Sequence, residues 1–135
     1  MMLRMSDIPV KFDWVEARAA CTVAEVFEQL RMDVESDVEA ANVARKLESG
    51  TKFIFKSSEA GNAFAAAAYW GRVQFVRHVD HIEIQDEVGN QKLTVTLTLS
   101  NTGRCKLKIE QEDMEQWQVR RMALEGLLFG PIVIR

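Results

Sequence analysis

The stretch from Thr22 to Gly50, TVAEVFEQLRMDVESDVEAANVARKLESG, reads as one long amphipathic helix. It opens on Thr22-Val23-Ala24-Glu25, the form of a capping box. In that motif the threonine oxygen accepts from the Glu25 amide and the glutamate side chain reaches back to the Thr22 amide. Val23, Phe27, Leu30, Val34, Val38, Ala41 and Leu47 then return at close to helical period, opposite Glu25, Glu28, Glu35, Glu39, Asn42 and Lys46. Ser49-Gly50 supplies the stop. Residues 23–48 contain neither proline nor glycine, and at the α-helical rise they span about 39 Å. A strand of ordinary length covers only about 17–20 Å. The helix therefore needs a long strand beneath it, for which Arg72–Asp86 is the candidate, or a second subunit at an overhanging end.

Residues 1–9 form a loose start. Val10, Phe12 and Trp14 then share one parity, and residues 10–20 are expected to be a strand. The helix formers of Glu16–Ala20 compete with that reading, but the fresh helix start at Thr22 decides for the strand. After the helix, Thr51–Ser57 reads as a strand with Phe53 and Phe55 on one side, followed by a hairpin loop at Ser58–Asn62. Asn62–Trp70 contains four consecutive alanines. It is short for a helix and bounded by Gly61 and Gly71, so it too is read as a strand.

Arg72–Asp86 is a long β-branched and aromatic run with a kink near His78-Val79-Asp80, ended by a turn at Glu87–Asn90. Gln91–Ser100 alternates cleanly, with Leu93, Val95, Leu97 and Leu99 inward and Lys92, Thr94, Thr96 and Thr98 outward. A tight turn through Gly103 returns the chain as Arg104–Ile109, with Cys105, Leu107 and Ile109 inward. The two strands agree on the buried face, which supports their pairing. Asp113 is the expected N-cap of a helix over Met114–Phe129, burying a set drawn from Trp117, Met122, Leu124, Leu127 and Leu128. Gly130-Pro131 ends it, leaving Ile132-Val133-Ile134 as a small strand or plug.

The order of strand, long helix, five-stranded antiparallel meander and C-terminal helix defines an α+β class with both helices on one face of the sheet. At 135 residues the chain is expected to form a single domain, 1–135. In element order alone it resembles the helix-grip fold of START and Bet v 1-like lipid-binding proteins. That resemblance implies a curved sheet and an apolar ligand. The fold has two short helices after its first strand and six later strands, where this chain reads as one unbroken helix and five strands.

Hydrophobic residues make up 47% of the chain and charged residues 27%, with a net charge of −3. A mildly acidic chain argues against bulk nucleic-acid or anionic-membrane binding. Met1–Asp7 has no apolar run of the signal-peptide kind, and the uncharged run Gly61–Gly71 is too short to span a bilayer. Cys21 and Cys105, far apart, make neither a disulfide framework nor a zinc pattern. They are expected to be small core thiols in a reducing cytoplasm.

Candidate sites follow from the pattern. Lys52, Lys56, Arg104, Lys106 and Lys108 are expected to project from the outer sheet face among the threonines, forming a basic face for an anionic ligand or an acidic partner. Its plainer explanation is that such residues suit an exposed antiparallel face. Asp33, Glu35, Asp37 and Glu39 make the long helix acidic, which a solvated helix face also explains. Trp14, Tyr69, Trp70 and Trp117, with Arg120 and Arg121 as polar anchors, are candidates for a pocket between sheet and helices, against a simple filled core.

His78 and His81 lie three apart, so on a strand they face opposite ways unless the kink joins them beside Asp80 or Glu83; no metal is expected. Cys21 before a helix N-terminus is nucleophile-like, but its base must come from a distant histidine. Neither a nucleophile–base pair nor a metal quartet nor a phosphate loop is legible, and no cofactor is expected. The ranking is a non-enzymatic interaction or regulatory module, homo-oligomeric or bound to a protein partner; then a carrier of a small apolar ligand; then an enzyme.

Overall fold

In a computed structural model that describes residues 13–44 and 52–130, the chain begins with two helices, α1 (Trp14–Ala20) and α2 (Val23–Ala44). Seven strands follow: β1 (Ile54–Ser57), β2 (Ala63–Ala68), β3 (Gly71–Arg77), β4 (Ile82–Asp86), β5 (Gln91–Leu99), β6 (Cys105–Ile109) and β7 (Glu112–Met114). The helix α3 (Gln116–Phe129) closes the order. The strands form one sheet in sequence order, each antiparallel to its chain neighbour. The α+β class holds, with helices packed on one face of an antiparallel sheet.

Three expectations about the secondary-structure elements are corrected. The strand expected over 10–20 is a helix from Trp14 onward; residues 10–12 lie outside the described residues. Asp13 is its N-cap, accepting from the Glu16 amide at 3.0 Å. Asp13 and Glu16 have the spacing that marks Thr22 and Glu25, and the apparent alternation ending in Trp14 hid it. The run 72–86 is not one long strand. Residues 78–81 turn the chain, with the His78 amide donating to the His81 carbonyl at 2.9 Å, and β3 and β4 pair across the turn. A short strand, β7, precedes α3, so the N-cap is Glu115, whose amide donates to the Gln118 side chain at 2.8 Å. The meander therefore has seven strands instead of five.

Other expectations stand. Asn62–Trp70 contains a strand despite its alanines, the β5–β6 register pairs Leu97 with Leu107, and Gly103 adopts a positive φ of 84° in the turn between them. Gly130 ends α3, its amide donating to the Gly126 carbonyl at 3.0 Å. The helix expected through Glu48 is described to Ala44; its remainder and the tail Ile132–Ile134 lie outside the described residues.

α2 supplies Phe27, Leu30, Val34, Val38 and Ala41 to the core, and α3 supplies Val119, Ala123, Leu124, Leu127 and Leu128. Against them lie Phe64, Phe75, Ile82, Ile84, Leu93, Val95, Leu107 and Ile109 of the sheet. Phe64 stacks on Phe75 at 4.6 Å between centroids and meets Phe27 at 4.9 Å. Burying each such side chain stabilises the fold by about 1.5–3 kcal/mol relative to exposure. Of the candidates for the buried set, Leu124, Leu127 and Leu128 are buried while Trp117 and Met122 are exposed, because the buried stripe of α3 runs through Val119, Ala123 and Leu127.

The length of α2 is matched by the width of the sheet and not by any single strand. Cys21, just before it, is bonded to Cys105 on β6, with 5.3 Å between Cα atoms. At its far end the Asn42 carboxamide brackets Phe53, donating to its carbonyl at 3.0 Å and accepting from its amide at 2.8 Å, just before β1. From β1 to β6 is about 24 Å at the usual strand spacing, and a helix of 22 residues reaches about 33 Å. α2 therefore crosses the strands obliquely. The disulfide also corrects the expectation of two core thiols: Cys21 is buried, 4% exposed, but Cys105 is an exposed residue at the end of β6. Two cysteines separated by 84 positions carry no local signal of their pairing.

Candidate functional site

Among the described residues the helices that contribute to the core pack on one face of the sheet, and none covers the other. Strand register assigns that face. Lys56, Ala65, Gln74, Gln85 and Lys92 form one row across β1–β5; Ala63, Val76, Glu83 and Thr94 form another. Thr96 pairs with Lys108 and Thr98 with Lys106, and Asp113 closes the face beside Lys108. The outward strand positions carry five cations, Lys56, Arg72, Lys92, Lys106 and Lys108, against two carboxylates, Glu83 and Asp113.

Both of those carboxylates are already engaged. Glu83 is bonded by Lys92 at 2.8 Å and by His78 at 3.0 Å, and Asp113 lies 3.5 Å from Lys108. Hydrogen bonds from Lys92 and His78 hold the Glu83 carboxyl down to about 2. Arg72 pairs with Glu87 at 3.0 Å, and Arg104 lies 3.8 Å from Glu115. Among the described residues Lys52, Lys56 and Lys106 make no ion pair. Of the predicted basic set, Lys56, Lys106 and Lys108 thus stand on the outer face, while Lys52 precedes β1 and Arg104 immediately precedes β6.

The face has a second half that the charge pattern did not reveal. Ala63, Ala65 and Ala67 of β2 point outward beside Ile54 and Val76, because in AFAAAA one parity carries Phe64 and Ala66 into the core. Once residues 62–70 are assigned as a strand, the period of two in that stretch is the signal that marks this low, apolar surface.

The aromatic pocket expected between sheet and helices is not assembled. Trp14 starts α1 at the surface, and Tyr69 and Trp70 occupy the β2–β3 turn, Trp70 meeting Phe53 edge-on at 5.7 Å. The sheet–helix layer is filled by the core side chains instead. Trp117, Arg120 and Arg121 do come together, in an open groove of about 540 Å³ between α2 and α3 that Ala40, Ala44, Leu124 and Phe129 also line. Arg120 is held there by Asp37, with both carboxylate oxygens at 2.7 Å, and Arg121 by Glu125 at 3.2 Å.

The acidic run on α2 is largely spent internally. Asp33 accepts from Gln29 and from Gln116, Asp37 holds Arg120, and Arg31 sits between Glu28 and Glu35. The Arg31 hydrogen bond keeps the Glu28 carboxyl below its usual range. His78 and His81 meet across the β3–β4 turn, with stacked rings 4.5 Å apart and 17° from parallel. Parallel rings send their lone pairs side by side and not to a common point, and each ring already faces a carboxylate, Glu83 or Asp80. Among the described residues no group of three or more metal-ligating side chains is placed to hold an ion, and no polar or charged side chain is buried. No helix among them is long and apolar enough to cross a membrane.

No protein-family model, curated protein or solved structure matches the chain.

Proposed function

We propose that the protein is a non-enzymatic interaction module whose working surface is the uncovered face of the sheet, and that its occupant is an acidic protein surface. The observation that carries this reading is the one-sided sheet: among the described residues its outward strand positions carry five cations, of which Lys56 and Lys106 make no ion pair, on a chain with a net charge of −3. The alanine patch beside it supplies low apolar contact area, and the lysines supply steering and a polar rim. The acidic face of α2 is the weaker docking surface, since its carboxylates already serve α3 and Arg31. Nucleic acid fits less well, because this face lacks the exposed stacking aromatics that read single strands. A cytoplasmic location remains compatible only if the Cys21–Cys105 bond is reversible there.

The test uses poly-glutamate as a defined probe. The wild-type protein should bind it at low ionic strength and lose it as salt shortens the Debye length to about 8 Å. Lys56→Glu combined with Lys106→Glu should abolish binding with the circular dichroism spectrum unchanged. Undiminished binding by that variant, or equal binding of a single-stranded oligonucleotide, would sink the reading. Salt-sensitive self-association of the wild type, absent in the variant, would make the occupant a second copy.

A further inference from the structure

We propose that the Cys21–Cys105 bond is a thiol-exchange site, attacked at Cys105, that holds α1 as a releasable strap over the β6 end of the sheet.

The two sulfurs are unequally placed. Cys21 is 4% exposed, whereas Cys105 is an exposed residue. An incoming thiolate must approach along the sulfur–sulfur axis, and of the two residues it is Cys105 that is exposed. The sulfur that must leave, Cys21, immediately precedes Thr22, the residue that caps α2 by accepting from the Glu25 amide at 3.2 Å. Access therefore picks Cys105 as the attacked sulfur and Cys21 as the one that leaves.

The attachment of α1 is the second, independent observation. None of its residues is buried, and Trp14 and Val15 are exposed. Among the described residues the hydrogen bonds of Trp14–Ala20 stay within residues 13–21: Asp13 caps Glu16, and the Arg18 guanidinium donates to the Cys21 carbonyl at 2.9 Å. The disulfide is thus what fixes α1 against β6. Next to it, Ala20 and Cys105 border a cleft of about 580 Å³ lined by Val26, Leu107 and Met114. Release of the strap widens that cleft while leaving the α2–α3–sheet core in place.

The chemistry closes with a dithiol reductant. Its thiolate attacks the Cys105 sulfur, the Cys21–Cys105 bond breaks, and Cys21 leaves as a thiolate that takes a proton from water. The second thiol of the reductant then attacks the mixed disulfide at the reductant's own sulfur. Cys105 departs as a thiolate and is protonated in turn. The reductant ends as a disulfide, having given two electrons to the protein.

Two measurements on the folded chain test this. With glutathione, peptide mapping should find the mixed disulfide on Cys105 and an alkylatable thiol at Cys21. With dithiothreitol, tryptic cleavage after Arg18 and hydrogen exchange over 14–20 should speed up about tenfold or more, with amides of β2–β5 still protected. Cys105→Ser should show the same pattern without reductant. The proposal fails if glutathione maps to Cys21, if reduction needs denaturant, if α1 stays protected, or if the whole sheet exchanges with it. Should Cys105→Ser not fold, the reduced wild type decides: loss of its far-ultraviolet signal would overturn the proposal.

Discussion

α1 and α3 flank the two ends of the same architecture, and they are attached to it by opposite means. α3 buries five residues and has no covalent link to the sheet. α1 buries none, and the residue that caps it is joined to β6 by a disulfide. A 14-residue helix with a stripe at helical spacing is held by area removed from water. A seven-residue helix is too short to be stable alone and is held by a bond. The two attachments also differ in how they fail. Packing is lost together with the core, whereas a single bond can be cut while the core persists.

The largest expected effect comes from cutting the bond. Its loop spans 84 positions, so Cys105→Ser should lower global stability by about 4–5 kcal/mol in the chain-entropy estimate, mostly through the unfolded state. Urea unfolding of the variant against the oxidised wild type measures this, and an unchanged midpoint would mean the bond does no such work. Next, Leu127→Ala removes a fully buried α3 side chain and should cost about 3 kcal/mol. Val15→Ala in α1 should stay within about 0.5 kcal/mol. Equal losses at the two sites would erase the distinction between the helices.

A smaller effect concerns pH and the β3–β4 turn, which borders the α1–α2 corner through Val79 and Asp80. The Glu83 carboxyl is lowered from 4.5 to about 2 in the folded state. Its contribution is therefore complete above about pH 4.5 and is lost as pH falls towards 2. Acid titrations of wild type and Glu83→Gln should differ at neutral pH and converge near pH 2. A constant gap across that window would remove the ion pairs from the account. Smallest of all, Asp13→Ala removes the α1 cap and should raise amide exchange in α1 without moving the global midpoint, because α1 opens separately from the core.

The same contrast explains what the sequence made legible. α3 and α2 announce themselves through long apolar periods, and the β5–β6 hairpin through strict alternation around Gly103. Both signals are repeated many times in one element. α1 has only seven residues, no buried stripe to display, and one capping pair to mark it. The β6–β7 turn was equally silent. Glu110 and Gln111 adopt positive φ values of 51° and 73°, a conformation that glycine and asparagine usually supply. The break at 78–81 showed only as a kink, because Asp80 is the one turn former among His78, Val79 and His81. The basic face was readable as a set of outward lysines, but its internal pairing with Glu83 and Asp113 depends on which strands are neighbours. The groove around Trp117 depends on the approach of two helices whose contacting residues, Asp37 and Arg120, are 83 positions apart.

The strictly sequential strand order has a consequence for how the molecule comes into being. Each strand can zip onto the one synthesised just before it, so the sheet grows hairpin by hairpin at little loop-closure cost. α2 is made before any strand, yet its apolar stripe has no sheet to cover until β2 and β3 exist. Cys21 waits longer still, through five complete strands, for Cys105. By this order the covalent link can close only once β1–β5 have been made, with β7 and α3 still to follow.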